Sequence, residues 1–120
     1  MDNYKLVIQD FLDFIDRERG YSKNTTLAYK NDLKQFMDFL KNYNFKMLSD
    51  LCLIDINTIR HFLGKEVEDG KTFKTVARRL ATIKSFFNYL VNIEMISNNP
   101  SIHIRTPKLE KKIPNYVQQD

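Results

Sequence analysis

Cysteine, glycine and proline are all scarce in this chain of 120 residues, which has one cysteine, three glycines and three prolines. The single cysteine, Cys52, excludes a disulfide within the chain and fits a reducing, cytoplasmic setting, so we expect it to be a small buried apolar residue. So few turn-forming residues argue against a β-sandwich or barrel. No apolar run approaches the length of a membrane span, and the start MDNYKLVIQD lacks a signal-peptide layout. These absences favour a small helical domain.

Charge is distributed unevenly along the chain, although the net charge is only +4. Residues 1–20 carry three cations and five anions, a balance of −2. Residues 71–114 carry nine cations and two anions, a balance of +7. The apolar fraction of 42% is that of an ordinary globular domain with one modest core. A basic second half therefore indicates that a polyanion binds on one side of the molecule.

Apolar residues recur at helical spacing in four segments, three of which follow a residue suited to cap a helix. The caps are Ser22, Asp55 and Thr72, and glycines at 20 and 70 follow the first and third segments. The predicted helices cover about residues 3–19, 23–41, Asp55 to Asp69, and 73–93. In the third helix we expect five residues to face inward: Ile56, Ile59, Phe62, Leu63 and Val67. Residues 42–54 read as a connection, with a helical turn around Met47 to Leu51.

The fourth predicted helix has a basic face opposite its apolar stripe. That face mixes long cations with hydroxyls and has no acidic residue: Lys74, Thr75, Arg78, Thr82 and Ser85, with Arg79 at its border and Lys71 just before the cap. Long cations and short hydroxyls are side chains that contact phosphates and base edges. On charge alone, the alternative interpretation is a face that is merely solvated.

Three segments, taken in order, resemble the core-binding domain of tyrosine recombinases, especially the Xer and phage-integrase branches. The first is GYSKNTTLAYKNDLKQFMDFL at 20–40, with Ser22, Thr25, Tyr29 and the pair Asp32-Leu33 at the family's positions. The second is FKTVARRLATIKSFFNYL at 73–90, which matches the family's helix from Arg79 to Leu90. The third is NPSIHIRTPKLEKKIP at 99–114, which matches the linker before the family's catalytic domain. The resemblance covers nearly the whole chain.

The resemblance implies an all-α, SAM-like bundle of four to five helices that forms one half of a clamp on duplex DNA. It implies a helical core-binding domain over 1–98 and an extended basic linker over 99–120. The DNA contacts expected from it come from the second helix, the fourth helix and the linker: Asn24, Thr25, Asn31, Lys71, Lys74, Thr75, Arg78, Arg79 and Lys108. Lys34 and Lys41 lie further along the second helix, and we expect them to be solvated. We also expect Arg78→Ala to weaken DNA binding without unfolding the bundle.

The family's tyrosine nucleophile, arginines, lysine and histidines belong to its other half, so we expect no catalytic residue and no cofactor here. The two histidines, His61 and His103, lie far apart without a metal-ligand pattern. The expected partner is double-stranded DNA, bound by a monomeric domain whose full-length parent forms a tetramer on DNA. The alternative is a helical protein-interaction module. Such a module would need a large exposed apolar patch, and only Phe39 and Phe86 lie off the apolar stripes of their helices. A stand-alone enzyme is the least favoured interpretation.

Overall fold

The computed structural model describes residues 4–18, 20, 22–43 and 48–105. Within these ranges it contains four α-helices and no strand, which confirms the all-α fold expected from the sequence. The helices are α1 (Tyr4–Glu18), α2 (Lys23–Leu40), α3 (Ile56–Glu68) and α4 (Phe73–Asn92). Two 3-10 segments, Lys41–Tyr43 and Leu48–Leu53, lie between α2 and α3. No helix in the described part of the chain is long and apolar enough to cross a membrane.

The three predicted N-caps are all confirmed. Each cap accepts a hydrogen bond from the backbone N–H of the residue three positions later. The distances are 3.2 Å at Ser22, 3.1 Å at Thr72 and 2.9 Å at Asp55. The hydrogen bond from the backbone N–H of Thr58 lowers the pKa of Asp55, because it favours the charged carboxylate. Each cap satisfies a donor that the helix itself cannot pair. Helices α2, α3 and α4 therefore begin where their sequences predict.

Helices α3 and α4 end in the same hydrogen-bond pattern with different residues. After α3, Gly70 has φ +91°, and the N–H groups of Gly70 and Lys71 donate to Val67 and Glu66 oxygens at 3.0 Å each. After α4, Glu94 takes the left-handed conformation with φ +63°, and Met95 N–H donates to the Leu90 oxygen at 2.9 Å. Both are Schellman-type endings. Gly70 reaches this conformation without the steric cost that a side chain brings to Glu94.

Aromatic rings from all four helices meet in one core. The Phe36 ring lies 5.2 Å from Phe62 and 6.3 Å from Phe87, and the Phe11 ring lies 5.4 Å from Phe86. The largest fully buried rings are those of Phe11, Phe36, Phe62, Phe86 and Phe87. Large rings dominate the burial energy of a small core, so these contacts hold the four helices together.

Three residues lie on the opposite side from the one that the sequence predicts. Cys52 is exposed because the tighter 3-10 repeat places Leu51 and Ile54 inward and turns Cys52 outward. Val67 is exposed because Glu66 takes the inward position at the end of α3. Thr82, expected on the basic surface of α4, is completely buried. The last two differences share a cause, since Glu66 and Thr82 both belong to one buried polar cluster.

The first residues of the predicted linker pack against α4. Ser101 and Ile104 are buried, and the Asn99 amide donates to the Lys84 backbone oxygen at 3.2 Å. The Asn99 side-chain oxygen accepts from the Ser101 backbone N–H at 2.8 Å. Residues 99–104 are therefore a hydrogen-bonded turn rather than an extended strap. The boundary at residue 98 stays a prediction, and residues 106–120, with Lys108, lie outside the described residues.

Candidate nucleic-acid interface

Asp32 of α2 is the point at which α2 meets α4. Its side chain has no exposed surface and accepts four hydrogen bonds from three α4 residues. Arg78 donates from Nε at 3.0 Å and from Nη2 at 2.7 Å, Arg79 donates from Nη1 at 3.0 Å, and the Thr82 hydroxyl donates at 2.7 Å. A carboxylate has about four acceptor sites, so the hydrogen-bonding capacity of Asp32 is filled.

Arg79 joins this contact to α3. Its Nε donates to a Glu66 carboxylate oxygen, and its side chain is only 5% exposed. Arg79 was expected at the border of the DNA-facing surface, and that placement is wrong. The reason is that two carboxylates, Asp32 and Glu66, lie on the buried faces of α2 and α3 and require buried cations. Arg79 therefore fixes three helices to each other.

Arg78 occupies an intermediate position between this cluster and solvent. Its side chain is 41% exposed, while two of its N–H groups are held by Asp32. The hydrogen bonds to Asp32 raise the pKa of Arg78 above its already high usual value, so its positive charge is permanent. The expectation of a free surface cation is thus only partly met, because Arg78 is anchored at the helix contact.

The remaining described residues expected to contact DNA lie at the beginnings of α2 and α4. Asn24, Asn31, Lys71 and Lys74 are exposed, and Thr25 and Thr75 are half-buried. Residues 23–31 precede Asp32 on α2, and residues 73–77 precede Arg78 on α4, so both sets lie on the N-terminal side of the contact between Asp32 and Arg78. We call this surface the α2–α4 face, defined as the following residues: Asn24, Thr25, Asn31, Lys71, Lys74, Thr75 and Arg78.

The uncompensated charge of the α2–α4 face comes from its two lysines, because Arg78 is paired with Asp32. Neither Lys71 nor Lys74 forms an ion pair with any other described residue, whereas Asp32 and Glu66 are both paired within the buried cluster. The first turn of a helix also carries backbone N–H groups and a partial positive charge. An anion approaching the start of α4 thus meets two uncompensated cations and a helix N-terminus.

Lys34 and Lys41 lie elsewhere and are compensated locally. Both pair with Asp38, at 3.2 and 3.6 Å, and both are exposed. They line a groove of about 800 Å³ between α1 and α2 together with Lys5, Ile8 and Leu27 among others, and Asn31 of the α2–α4 face lies at this groove as well. Their solvated placement agrees with the sequence prediction.

Neither histidine has the surroundings of a metal ligand. No group of three or more histidine, cysteine, aspartate or glutamate residues could hold a metal ion within the described ranges. Nδ1 of His61 shares a hydrogen bond with the Tyr43 hydroxyl and the His61 ring packs against Phe39, while His103 is exposed. Phe39 and Phe86 are themselves buried, Phe39 against Phe62 and Phe86 against Phe11.

Comparison with known families gives a match over most of the chain. The family described as phage integrase, N-terminal SAM-like domain, matches residues 8–93. This chain belongs to that family. The SAM-like domain thus includes the whole α2–α4 face and the buried cluster, which confirms the resemblance to the N-terminal domain of tyrosine recombinases.

Curated relatives of this SAM-like domain carry the name tyrosine recombinase XerD. The protein from Oceanobacillus iheyensis is 36% identical over 113 residues, which are 94% of this chain and 37% of the relative. One from Staphylococcus epidermidis is 35% identical over 114 residues, and one from Staphylococcus aureus is 32% identical over the same length. The chain thus spans less than two fifths of the length of these relatives. No solved structure matches the domain significantly.

Proposed function

We propose that this SAM-like domain binds double-stranded DNA through the α2–α4 face, as the N-terminal clamp half of a site-specific tyrosine recombinase or integrase. The observation that carries the proposal is the pair Lys71 and Lys74, two exposed cations at the start of α4 that form no ion pair with any other residue that the structure describes. Asn24 and Asn31 on α2, the helix that contacts α4 through Asp32, are exposed amides. Cations supply attraction to phosphates, and short polar side chains supply contacts to base edges.

The contacts differ in the distance over which they act. The attraction of Lys71 and Lys74 for phosphates extends over a Debye length of about 8 Å at physiological salt. Asn24, Thr25, Asn31 and Thr75 are neutral and require hydrogen-bond distance, so we assign them to positioning on the duplex and to base contacts. Arg79 is not among the proposed contacts, because reaching DNA would break its bonds to Asp32 and Glu66.

The relatives' name refers to strand breakage and rejoining, and we propose that this chemistry belongs to the part of those proteins that the chain does not match. On this proposal the domain holds DNA without cutting it, uses no metal or cofactor, and works in the cytoplasm. We further propose that the domain alone is monomeric and that the full-length protein assembles as a tetramer on DNA. The linker residue Lys108 would continue the positive surface along the duplex.

Removing a single lysine from the α2–α4 face tests the binding mode. Lys74→Ala is expected to weaken duplex binding and to reduce the slope of log affinity against log salt by about 0.9, the value for one phosphate contact. The measurement is a fluorescence-anisotropy titration of a labelled duplex at several salt concentrations. Lys41→Ala is the matched control, because it removes the same charge from an exposed site where the lysine pairs with Asp38 at 3.6 Å. Equal affinities and slopes in the unaltered chain and both variants would reject the proposed face.

A further inference from the structure

We infer that Asp32 is a positioning residue that orients Arg78 to recognise the O6 and N7 atoms of one guanine in the major groove. The inference rests on the proposed function and deepens it, since it separates the residue that specifies a base from those that attract phosphates. It concerns the only described place where a partly exposed guanidinium is bound through two N–H groups to a fully buried carboxylate.

The first step is the inventory of donors on Arg78. A guanidinium has five N–H groups, and Asp32 takes the one on Nε and one on Nη2. Three N–H groups remain, two on Nη1 and one on Nη2, and no other described residue accepts them. One from each nitrogen forms a planar pair at the end of the side chain. That pair matches two adjacent acceptors such as guanine O6 and N7.

The second step is rigidity. Asp32 is itself fixed by Arg79 at 3.0 Å and by Thr82 at 2.7 Å, so the carboxylate cannot rotate away from Arg78. A free arginine loses side-chain entropy when it binds a base, because it must first adopt one conformation. Arg78 is already held in a single plane before DNA arrives. Its remaining N–H pair is therefore oriented in advance.

The third step is the choice between guanine and phosphate, which both offer paired acceptors. Asp32, Glu66, Arg78 and Arg79 form a cluster of two anions and two cations, with no net charge. A phosphate at Arg78 would lie close to the Asp32 carboxylate, and like charges at such separations repel. Guanine O6 and N7 are neutral acceptors and meet no such repulsion. The ion pair thus favours a base edge over a second anion.

The experiment is a double-mutant cycle on chemically altered DNA. The duplex preferred by the 120-residue chain is first selected from a random-sequence pool. Each guanine is then replaced in turn by 7-deazaguanine, which lacks N7, and each nearby phosphate by an uncharged methylphosphonate. At one guanine the unaltered chain is expected to lose affinity at least about fivefold, whereas Arg78→Ala loses less than about twofold at the same position.

Lys74→Ala is the matched control on the same helix, since Lys74 has no contact with Asp32. It is expected to bind both duplexes more weakly and to keep the full fivefold ratio between them. At one phosphate, replacement by a methylphosphonate should weaken binding by the unaltered chain more than binding by Lys74→Ala. The two variants therefore separate base recognition from phosphate attraction within one turn of α4.

The positioning role is tested with Asp32→Asn and Thr82→Val. Asp32→Asn removes a negative charge, so simple electrostatics predicts tighter binding to every duplex. The positioning role predicts instead that the affinity ratio between the guanine and 7-deazaguanine duplexes is lost, while binding to unselected DNA is unchanged or tighter. Thr82→Val keeps the carboxylate and removes one of its donors, and it is expected to reduce the ratio in part. Circular dichroism at the assay temperature establishes that each variant is folded. If Asp32→Asn does not fold, Thr82→Val decides.

Several outcomes would overturn the inference while the proposed function stands. Arg78→Ala could abolish the affinity loss caused by a methylphosphonate and leave the loss at every 7-deazaguanine unchanged. Arg78 would then be a phosphate contact. A full guanine ratio in the folded Asp32→Asn variant, or in Thr82→Val if only that variant folds, would remove the positioning role. Absence of duplex binding by the unaltered chain is a different result, since it would reject the proposed function itself.

Discussion

Arg79→Ala is expected to lower the free energy of unfolding by about 3–5 kcal/mol, the usual cost of removing one partner from a buried ion pair. Arg79 is 5% exposed, and its loss leaves Glu66 without its cation and takes one of four donors from Asp32. Neither carboxylate can turn to water, since both are buried. The measurement is urea unfolding followed by circular dichroism, with the slope of the transition compared between variants.

Two further variants separate the ion pair from the volume of the side chain. Arg78→Ala removes a neighbouring arginine that is 41% exposed, and it is expected to cost clearly less than Arg79→Ala because Asp32 keeps Arg79 and Thr82. The double variant Glu66→Leu with Arg79→Met leaves neither charge of that pair buried, and it should be more stable than Arg79→Ala alone. A loss below about 1 kcal/mol for Arg79→Ala would show that the buried cluster does not hold α2, α3 and α4 together.

Ile104→Ala is expected to lower the free energy of unfolding by about 2–5 kcal/mol, as for other isoleucines in a core. Ile104 is only 3% exposed, although it lies in a segment whose sequence resembles a linker. Its truncation leaves a cavity in the core at the buried turn, where the Ile104 N–H donates to the Ser101 oxygen at 3.1 Å. The same urea experiment measures the loss.

The neighbouring Ile102 provides the control for Ile104. Its side chain is 57% exposed, so Ile102→Ala is expected to change stability by no more than about 0.5 kcal/mol. Both variants remove the same atoms from the same turn, and they differ only in burial. Equal effects of the two would mean that residues 99–104 do not pack on the bundle and that the folded domain ends near residue 98.

The helices could be predicted from the sequence because their signals are local. Each cap at Ser22, Asp55 and Thr72 needs only one side-chain oxygen and a backbone N–H three residues on. The fold of residues 99–104 could not, because it depends on the Asn99 amide reaching the Lys84 oxygen across 15 residues. Pro100 in that segment and the basic residues that follow it gave a pattern typical of a linker. Local composition does not predict such a tertiary contact.

The sequence predicted which helices carry the candidate site, but it did not predict the ion pairs that Asp32 and Glu66 form with the arginines of α4. Projection of a single helix places Arg78, Arg79 and Thr82 beside one another but does not show which partner helix covers them. The available signal was the position of two carboxylates. Asp32 follows Tyr29 by three residues and precedes Phe36 by four, which places it on the buried stripe of α2, and Glu66 continues the stripe of Ile59, Phe62 and Leu63. A carboxylate on an apolar stripe requires a buried cation, and the adjacent arginines of α4 supply it.

The most direct test of the central proposal is a map of which backbone amides respond to DNA. Proton–nitrogen NMR spectra of the 120-residue chain would be recorded while an unlabelled duplex is added. The proposed function predicts the largest shifts at the beginnings of α2 and α4, at Asn24, Thr25, Lys74 and Thr75, with small shifts at Lys5, Ile8, Lys34 and Lys41 in the groove between α1 and α2. Shifts concentrated on that groove around Lys34 and Lys41, or no shifts at saturating duplex, would contradict it.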